Sequence, residues 1–218
     1  MRQLRSLLNS KIGVAIFLVV FMSPFSSLSQ TNILVLGDSL TQGYGLAQTD
    51  GFVPQLSVWM SANNNLVHII NGGVSGDTSA GGLARVEWSL EEDVDVMVVA
   101  LGGNDFLRGI DPEETLSNLD KILAIGKARG IKLMLVGVIA SNNFGIEYKT
   151  AFDKIFPFLA KKYNAHLVVN FMGPIIDRAQ AEENLRLYLQ SDMLHPNAKG
   201  VALIVEKIGP ELSQLILD

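Results

Sequence analysis

The stretch Ile33-Leu34-Val35-Leu36-Gly37-Asp38-Ser39-Leu40-Thr41-Gln42-Gly43-Tyr44-Gly45 decides the reading of this chain. Residues 33–37 form an apolar run that ends at a glycine, the pattern of a short buried strand. The chain then turns at Gly37-Asp38-Ser39. A serine placed where a central strand ends sits at the mouth of the sheet, where open α/β folds hold their ligands. Gly37 lets the backbone bend sharply there and brings amide N–H groups close to whatever binds. Ser39 is therefore a candidate nucleophile. The same tripeptide is also an ordinary turn, so its meaning depends on the rest of the chain.

Working outward, strands and helices alternate. Residues 52–60 carry apolar side chains at 52, 53, 56, 59 and 60, which is helical spacing. Residues 66–70 read as a second strand. The segment 71–82, N-G-G-V-S-G-D-T-S-A-G-G, reads as mostly loop, with Asp77 or Thr78 able to cap a helix over 83–90. Residues 94–101 are apolar except for Asp95, as expected of a strand covered on both faces. Asp111-Pro112-Glu113-Glu114 is a helix start, with an N-cap acid, proline at the first helical position and acids in the first turn. That helix runs to about Ala128. Strands follow at 131–138 and from 167, a helix over 146–163 with a kink expected at Pro157, and a partly helical stretch at 175–189. A closing helix over 197–217 is expected to be interrupted near Gly209-Pro210. This order predicts an α/β sandwich with a mainly parallel sheet of about five strands. No repeat, linker or low-complexity segment divides the chain.

Composition narrows the function classes. The 218 residues suffice for one well-buried domain and are short for two. Hydrophobic residues make up 48% and charged residues 18%, which describes a globular protein. A net charge of −5 without a basic cluster argues against nucleic acid as a partner. The absence of cysteine excludes disulfides, thiolate metal sites and a cysteine nucleophile. At the N-terminus, Arg2, Arg5 and Lys11 precede an uncharged run over 12–22, then Pro24 and the small-residue site Ser27-Leu28-Ser29. This is the pattern of a secretory signal peptide over 1–29, followed by a single domain over 30–218. The apolar run is shorter than the ~20 residues needed to cross a bilayer, so the mature chain is expected to carry no membrane span. Export to the periplasm or outside the cell follows, and a monomer is expected.

Three further stretches bear on Ser39. In Asp192-Met193-Leu194-His195-Pro196, an acid and a histidine three residues apart can meet across one tight turn. The carboxylate then holds one ring nitrogen and leaves the other facing outward as a base. His68 and His166 have no such neighbour in sequence and read as strand-end or partly buried histidines. In Leu101-Gly102-Gly103-Asn104-Asp105, an asparagine leaving the end of an apolar strand can aim its amide at a developing oxyanion. Gly76, in V-S-G-D-T after the second strand, can add a backbone N–H. Each motif alone has a plain alternative as a turn or a loop cap. No G-x-S-x-G elbow, P-loop, G-x-G-x-x-G or H-E-x-x-H occurs.

Serine, glycine, asparagine and histidine in this order, each just past a predicted strand or in the final loop, resemble the blocks of the SGNH hydrolase superfamily, the G-D-S-L esterases and lipases. The runs N-G-G-V-S-G-D-T-S, L-G-G-N-D-F-L-R-G and H-P-N are most similar to its branch of bacterial periplasmic thioesterases, which also act as arylesterases and lysophospholipases. The resemblance covers essentially the whole chain after residue 29. It implies a three-layer α/β/α, flavodoxin-like fold and no metal or cofactor. It also implies a catalytic Ser39, Asp192 and His195, and an oxyanion hole formed by Ser39, Gly76 and Asn104. The substrate it implies is a small-molecule or lipid acyl ester or thioester. Asp105, Phe106, Leu107, Arg108, Gly109 and Ile110 follow Asn104 directly and are expected to border the acyl site. A carbohydrate acetylesterase, or a catalytically silent binding domain on the same fold, is the alternative.

Overall fold

The computed structural model describes residues 30–182 and 184–218. The expected leader over 1–29 lies outside the described residues. Five parallel strands form one sheet in the order β2-β1-β3-β4-β5: β1 Thr31–Gly37, β2 Val67–Gly73, β3 Val96–Ala100, β4 Lys132–Val136 and β5 His166–Val168. From β1 the chain adds β2 on one side and then returns to place β3 on the other. The order therefore reverses at β1, and the crevice beyond the carboxyl ends of β1 and β3 is the topological switch point of the sheet.

Alternation along the strands divides the core into two apolar layers, because successive side chains point to opposite faces. Ile33 and Val35, Val96 and Val98, and Met134 and Val136 face α2 (Phe52–Ala62), α8 (Gly173–Glu182) and α9 (Ala198–Leu217). Leu34 and Leu36, Met97 and Val99, and Leu133 and Leu135 face α3 (Ser79–Ser89), α5 (Pro112–Ala128), α6 (Ile146–Asp153) and α7 (Ile155–Tyr163). The helices thus form a layer on each side, the expected α/β/α sandwich. Two short helices, α1 (Ser39–Gln42) and α4 (Gly103–Leu107), begin directly beyond β1 and β3.

Local detail departs from the sequence reading in three places. The segment expected to be loop from residue 71 instead continues β2 through Gly73, in register with Gly37. A Cβ on Gly72 would lie 2.9 Å from the Val35 carbonyl oxygen, and one on Gly73 would lie 2.3 Å from the Gln42 nitrogen. These glycines are strand residues that admit a close neighbour. The helix after them begins at Ser79, capped by the Thr78 hydroxyl, which accepts from the Gly81 N–H. The expected kink at Pro157 appears upstream, as a break between α6 and α7 at Lys154. A proline ring crowds the carbonyl four residues earlier, at Asp153, so the helix divides there and Pro157 sits in the first turn of α7, where a missing N–H is harmless. Helix α9 runs unbroken through Gly209-Pro210. Gly209 is there for packing: a Cβ would come 2.5 Å from the Trp59 ring of α2.

Candidate active site

Strand β1 delivers Ser39 to the switch point. Asp38 caps α1, its Oδ1 accepting from the Leu40 N–H at 3.0 Å, and this fixes the turn that carries the serine. The Ser39 Oγ lies 2.9 Å from His195 Nε2. His195 Nδ1 in turn lies 2.6 Å from Asp192 Oδ2. The Asp192–His195 pair is built by one tight turn in which Met193 takes φ 58°. Asp192 Oδ1 accepts from the Leu194 and His195 N–H groups, each at 3.0 Å. Those two backbone donors, and then the imidazole, hold the Asp192 carboxyl down at about 2. A carboxylate so stabilised stays ionised while the histidine beside it gains a proton, which is the electrostatic requirement for a general base.

Two loops frame the serine. Gly76 stands in the loop after β2 with φ 83°, a conformation few other residues adopt. Arg85 of α3 ties that loop to the end of β1. It pairs with Asp77 at 2.6 Å and donates to the Gly37 carbonyl at 2.8 Å. Arg108 grips the same loop from the other side, donating to the Gly76 carbonyl at 2.8 Å. Among the described residues, neither the Ser39 nor the Gly76 N–H donates to a protein group. Asn104, at the start of α4, donates one amide N–H to Asp38 Oδ2 at 3.1 Å. Asp38 is 4% exposed, and burial raises its carboxyl above the ordinary 3.8, against the opposing pull of the Leu40 N–H and the Asn104 amide.

These residues open into a cleft of about 800 Å³. Ser39, Gly76, Asn104, Asp192 and His195 all line it. Its walls include Phe106 and Leu107 from the segment beyond β3, with Ile139, Ile175 and Leu189 opposite. A pocket of this size, mostly apolar with a few convergent polar groups, is what a small-molecule site requires.

The run 105–110 divides. Phe106 and Leu107 face the cleft, whereas Asp105, Arg108, Gly109 and Ile110 do not line it. Asp105 is fully buried. Its carboxylate accepts from the Ser79 N–H at 2.8 Å, from the Ser79 hydroxyl and from Thr115 Oγ1 at 3.2 Å, so it joins α3, α4 and α5. The Gly109 position packs on Phe144, and the Ile110 carbonyl accepts from the Tyr148 hydroxyl. Adjacency in sequence overstates adjacency in space, because α4 turns Asp105 into the core and ends at Leu107, after which residues 108–110 leave the cleft wall. The other histidines lie elsewhere. His68 is exposed on the edge strand β2. His166, which has no acid near it in sequence, lies 2.8 Å from Glu211 of α9.

Sequence reasoning missed three supporting residues. Asp38 reads as part of a turn, although an acid just before a helical turn is an N-cap signal. Tyr44 places its ring 4.9 Å from the His195 imidazole. Gln190 donates to the Tyr44 and Pro196 carbonyls at 2.8 and 2.9 Å, and its own N–H donates to the His195 carbonyl at 2.8 Å. It clasps the loop after α1 to the histidine loop across 146 residues of sequence, and no local pattern signals that.

Comparison with known proteins agrees with this geometry. The model of the GDSL-like Lipase/Acylhydrolase family matches residues 35–203. The chain is 32% identical over 202 residues to Thioesterase 1/protease 1/lysophospholipase L1 of Escherichia coli (strain K12), covering 92% of each chain. It is 31% identical to an Arylesterase of Vibrio mimicus, over 86% of this chain and 90% of that one. Among solved structures, the psychrotrophic esterase EstA from Pseudoalteromonas sp., inhibited by monoethylphosphonate, superposes with a TM-score of 0.77. It is 30% identical over 87% of this chain and 100% of that one.

Proposed function

Because this chain belongs to the GDSL-like lipase/acylhydrolase family, we propose that it cleaves carboxylic esters and thioesters of acyl chains through an acyl-enzyme on Ser39. The observation that carries this reading is the unbroken sequence of contacts from Ser39 Oγ to His195 Nε2 and from His195 Nδ1 to Asp192, opening into an apolar-walled cleft. Ser39 Oγ attacks the carbonyl carbon and its proton passes to His195 Nε2. Asp192 orients the ring and stabilises the imidazolium. The oxyanion is held by the Ser39 and Gly76 N–H groups and by the Asn104 amide hydrogen that Asp38 does not engage. Because Asn104 is fixed through Asp38, its free N–H is aimed before substrate arrives. His195 returns the proton to the leaving alcohol or thiol. Water, activated by the same histidine, then releases the acid.

The acyl chain lies along Phe106, Leu107, Ile139 and Leu189, which suits arylesterase, thioesterase and lysophospholipase substrates, the kinds named for the relatives. Residues 1–29 serve as a leader cleaved after Ser29, sending residues 30–218 to the periplasm or beyond. The charge pattern and short apolar run support this.

The test is a chain-length series of p-nitrophenyl esters, on wild type beside Ser39→Ala, with fluorophosphonate labelling. Preference for longer acyl chains, loss of turnover in Ser39→Ala and labelling at Ser39 alone are expected. Turnover confined to acetate would favour a carbohydrate acetylesterase. No turnover of any ester would favour a silent binding domain.

A further inference from the structure

We propose that the mouth of the cleft is a docking face for a phospholipid bilayer. The inference rests on the ester-hydrolase reading and adds the place from which the ester is taken. In a parallel sheet all carboxyl ends lie on one edge. Beyond each of the five strands this protein exposes a large apolar side chain: Tyr44 after β1, Val74 after β2, Leu107 after β3, Ile139 after β4 and Val169 after β5. Their exposures run from 43% for Val74 to 64% for Val169. Ile146, two residues past the Phe144 that packs on Gly109, and Leu187, between Leu185 and Leu189 of the cleft lining, are exposed at 60% and 43%. The other exposed large apolar residues, such as Val58, Trp88 and Phe158, stand apart from one another on α2, α3 and α7. An exposed apolar side chain beyond every strand at one edge of the sheet, three of them (Tyr44, Leu107, Ile139) lining the cleft, is not what scattering of surface residues produces.

Two arginines among the apolar side chains, and continuity with the cleft, point to the occupant. The rim carries Arg108 and Arg186, both exposed and neither salt-bridged among the described residues, with the acids Glu147 and Asp192 beside them. Arginines beside apolar side chains at one surface match the phosphates above the acyl boundary of a bilayer. The rim is continuous with the cleft walls at Leu107 and Ile139. A chain withdrawn from the bilayer passes from one apolar surface to the next without entering water.

The experiment measures co-sedimentation of the full protein with phosphatidylcholine vesicles containing a minority of phosphatidylglycerol. Wild type is compared with Ile146→Glu/Leu187→Glu, two positions outside the cleft lining. Ile146 stands in the first turn of α6, where an acid is well tolerated. We expect vesicle binding to fall about tenfold or more in the double variant. Arg186→Gln should weaken it about fivefold at low salt. Melting temperature and hydrolysis of soluble p-nitrophenyl acetate should be unchanged in both. Wild type that turns over the soluble ester but binds vesicles no better than the double variant overturns the inference and leaves the esterase reading standing. So does a dimer, seen by sedimentation, that the double variant abolishes while vesicle binding is nil. Wild type that binds vesicles but hydrolyses no ester overturns the enzymatic reading instead.

Discussion

Replacing Asn104 by alanine separates chemistry from packing. The substitution removes both amide hydrogens. One is the free hydrogen assigned to the oxyanion, and the other is donated to Asp38 at 3.1 Å. Loss of one oxyanion donor lowers kcat about 10²–10³-fold, or about 3–4 kcal/mol, with KM nearly unchanged because the bond strengthens only as charge develops. The second loss falls on stability. A hydrogen bond to a charged group contributes about 1.5–3 kcal/mol. Asp38, already raised by burial, relieves part of this by taking up a proton, so about 2 kcal/mol is a fair upper expectation. For a chain of this size that lowers Tm by about 4–8 °C. The assay is steady-state hydrolysis of a p-nitrophenyl ester at saturating substrate, beside thermal melting of the same preparation. A folded variant with kcat within a few-fold of wild type would refute the oxyanion role, whatever its Tm.

Asp38→Asn keeps the volume but turns one of two acceptors into a donor, so either Leu40 or Asn104 loses its partner. Relief of the buried charge should leave Tm nearly unchanged while kcat falls about tenfold to a hundredfold through misaim of Asn104, and a fully active variant would remove Asp38 from the support. Arg85→Met leaves Asp77 unpaired and the loop of Gly76 untied from β1. Removing one partner of a buried pair costs about 3 kcal/mol or more, read as a Tm drop of about 6–12 °C, and a drop under a degree or two would show the tie to be idle. Asp192 links stability to acid. Its carboxyl sits at about 2 when folded against the ordinary 3.8, so the stability it contributes is fully present above 3.8 and lost as pH falls toward 2. Wild type should therefore exceed Asp192→Asn in urea midpoint above about pH 5 and converge with it near about pH 2, and a gap that persists undiminished in acid would contradict this linkage.

What the sequence made legible follows from the range of the interactions. The strand over 33–37, the Asp111-Pro112 helix start and the Asp192–His195 turn each depend on residues within a few positions, and all three are read correctly. The glycines at 72, 73 and 209 were misread as looseness or interruption. Each makes room for a neighbour distant in sequence: the Val35 carbonyl, the Gln42 backbone and the Trp59 ring. No window shorter than the fold contains both parties. The same holds at the site. Asp38 reaches Asn104 across 66 residues, and Gln190 reaches Tyr44 across 146. Asp105 follows Asn104 and so reads as bordering the acyl site, yet it looks into the core, where its carboxylate accepts from Ser79 and Thr115. Motif order points to the residues proposed to carry the chemistry, while the residues that hold them still are visible only in three dimensions.

The separation between Ser39 and His195 sets when this protein can act. The proposed nucleophile and base stand 156 residues apart, while the proposed base and its acid partner stand only three apart. A ribosome releases the chain from its N-terminus, so Ser39 emerges first and waits for nearly the whole polypeptide. The loop bearing His195 leads directly into α9, whose Val201, Ile204 and Ile208 complete one apolar layer. With the roles proposed above, the serine has no base until that last helix seats. An incomplete translation product is then inert toward the esters of its own cell, without an inhibitor or a removable inhibitory segment. The appearance of turnover also becomes a clock for the final docking event, readable in a refolding experiment without any attached probe.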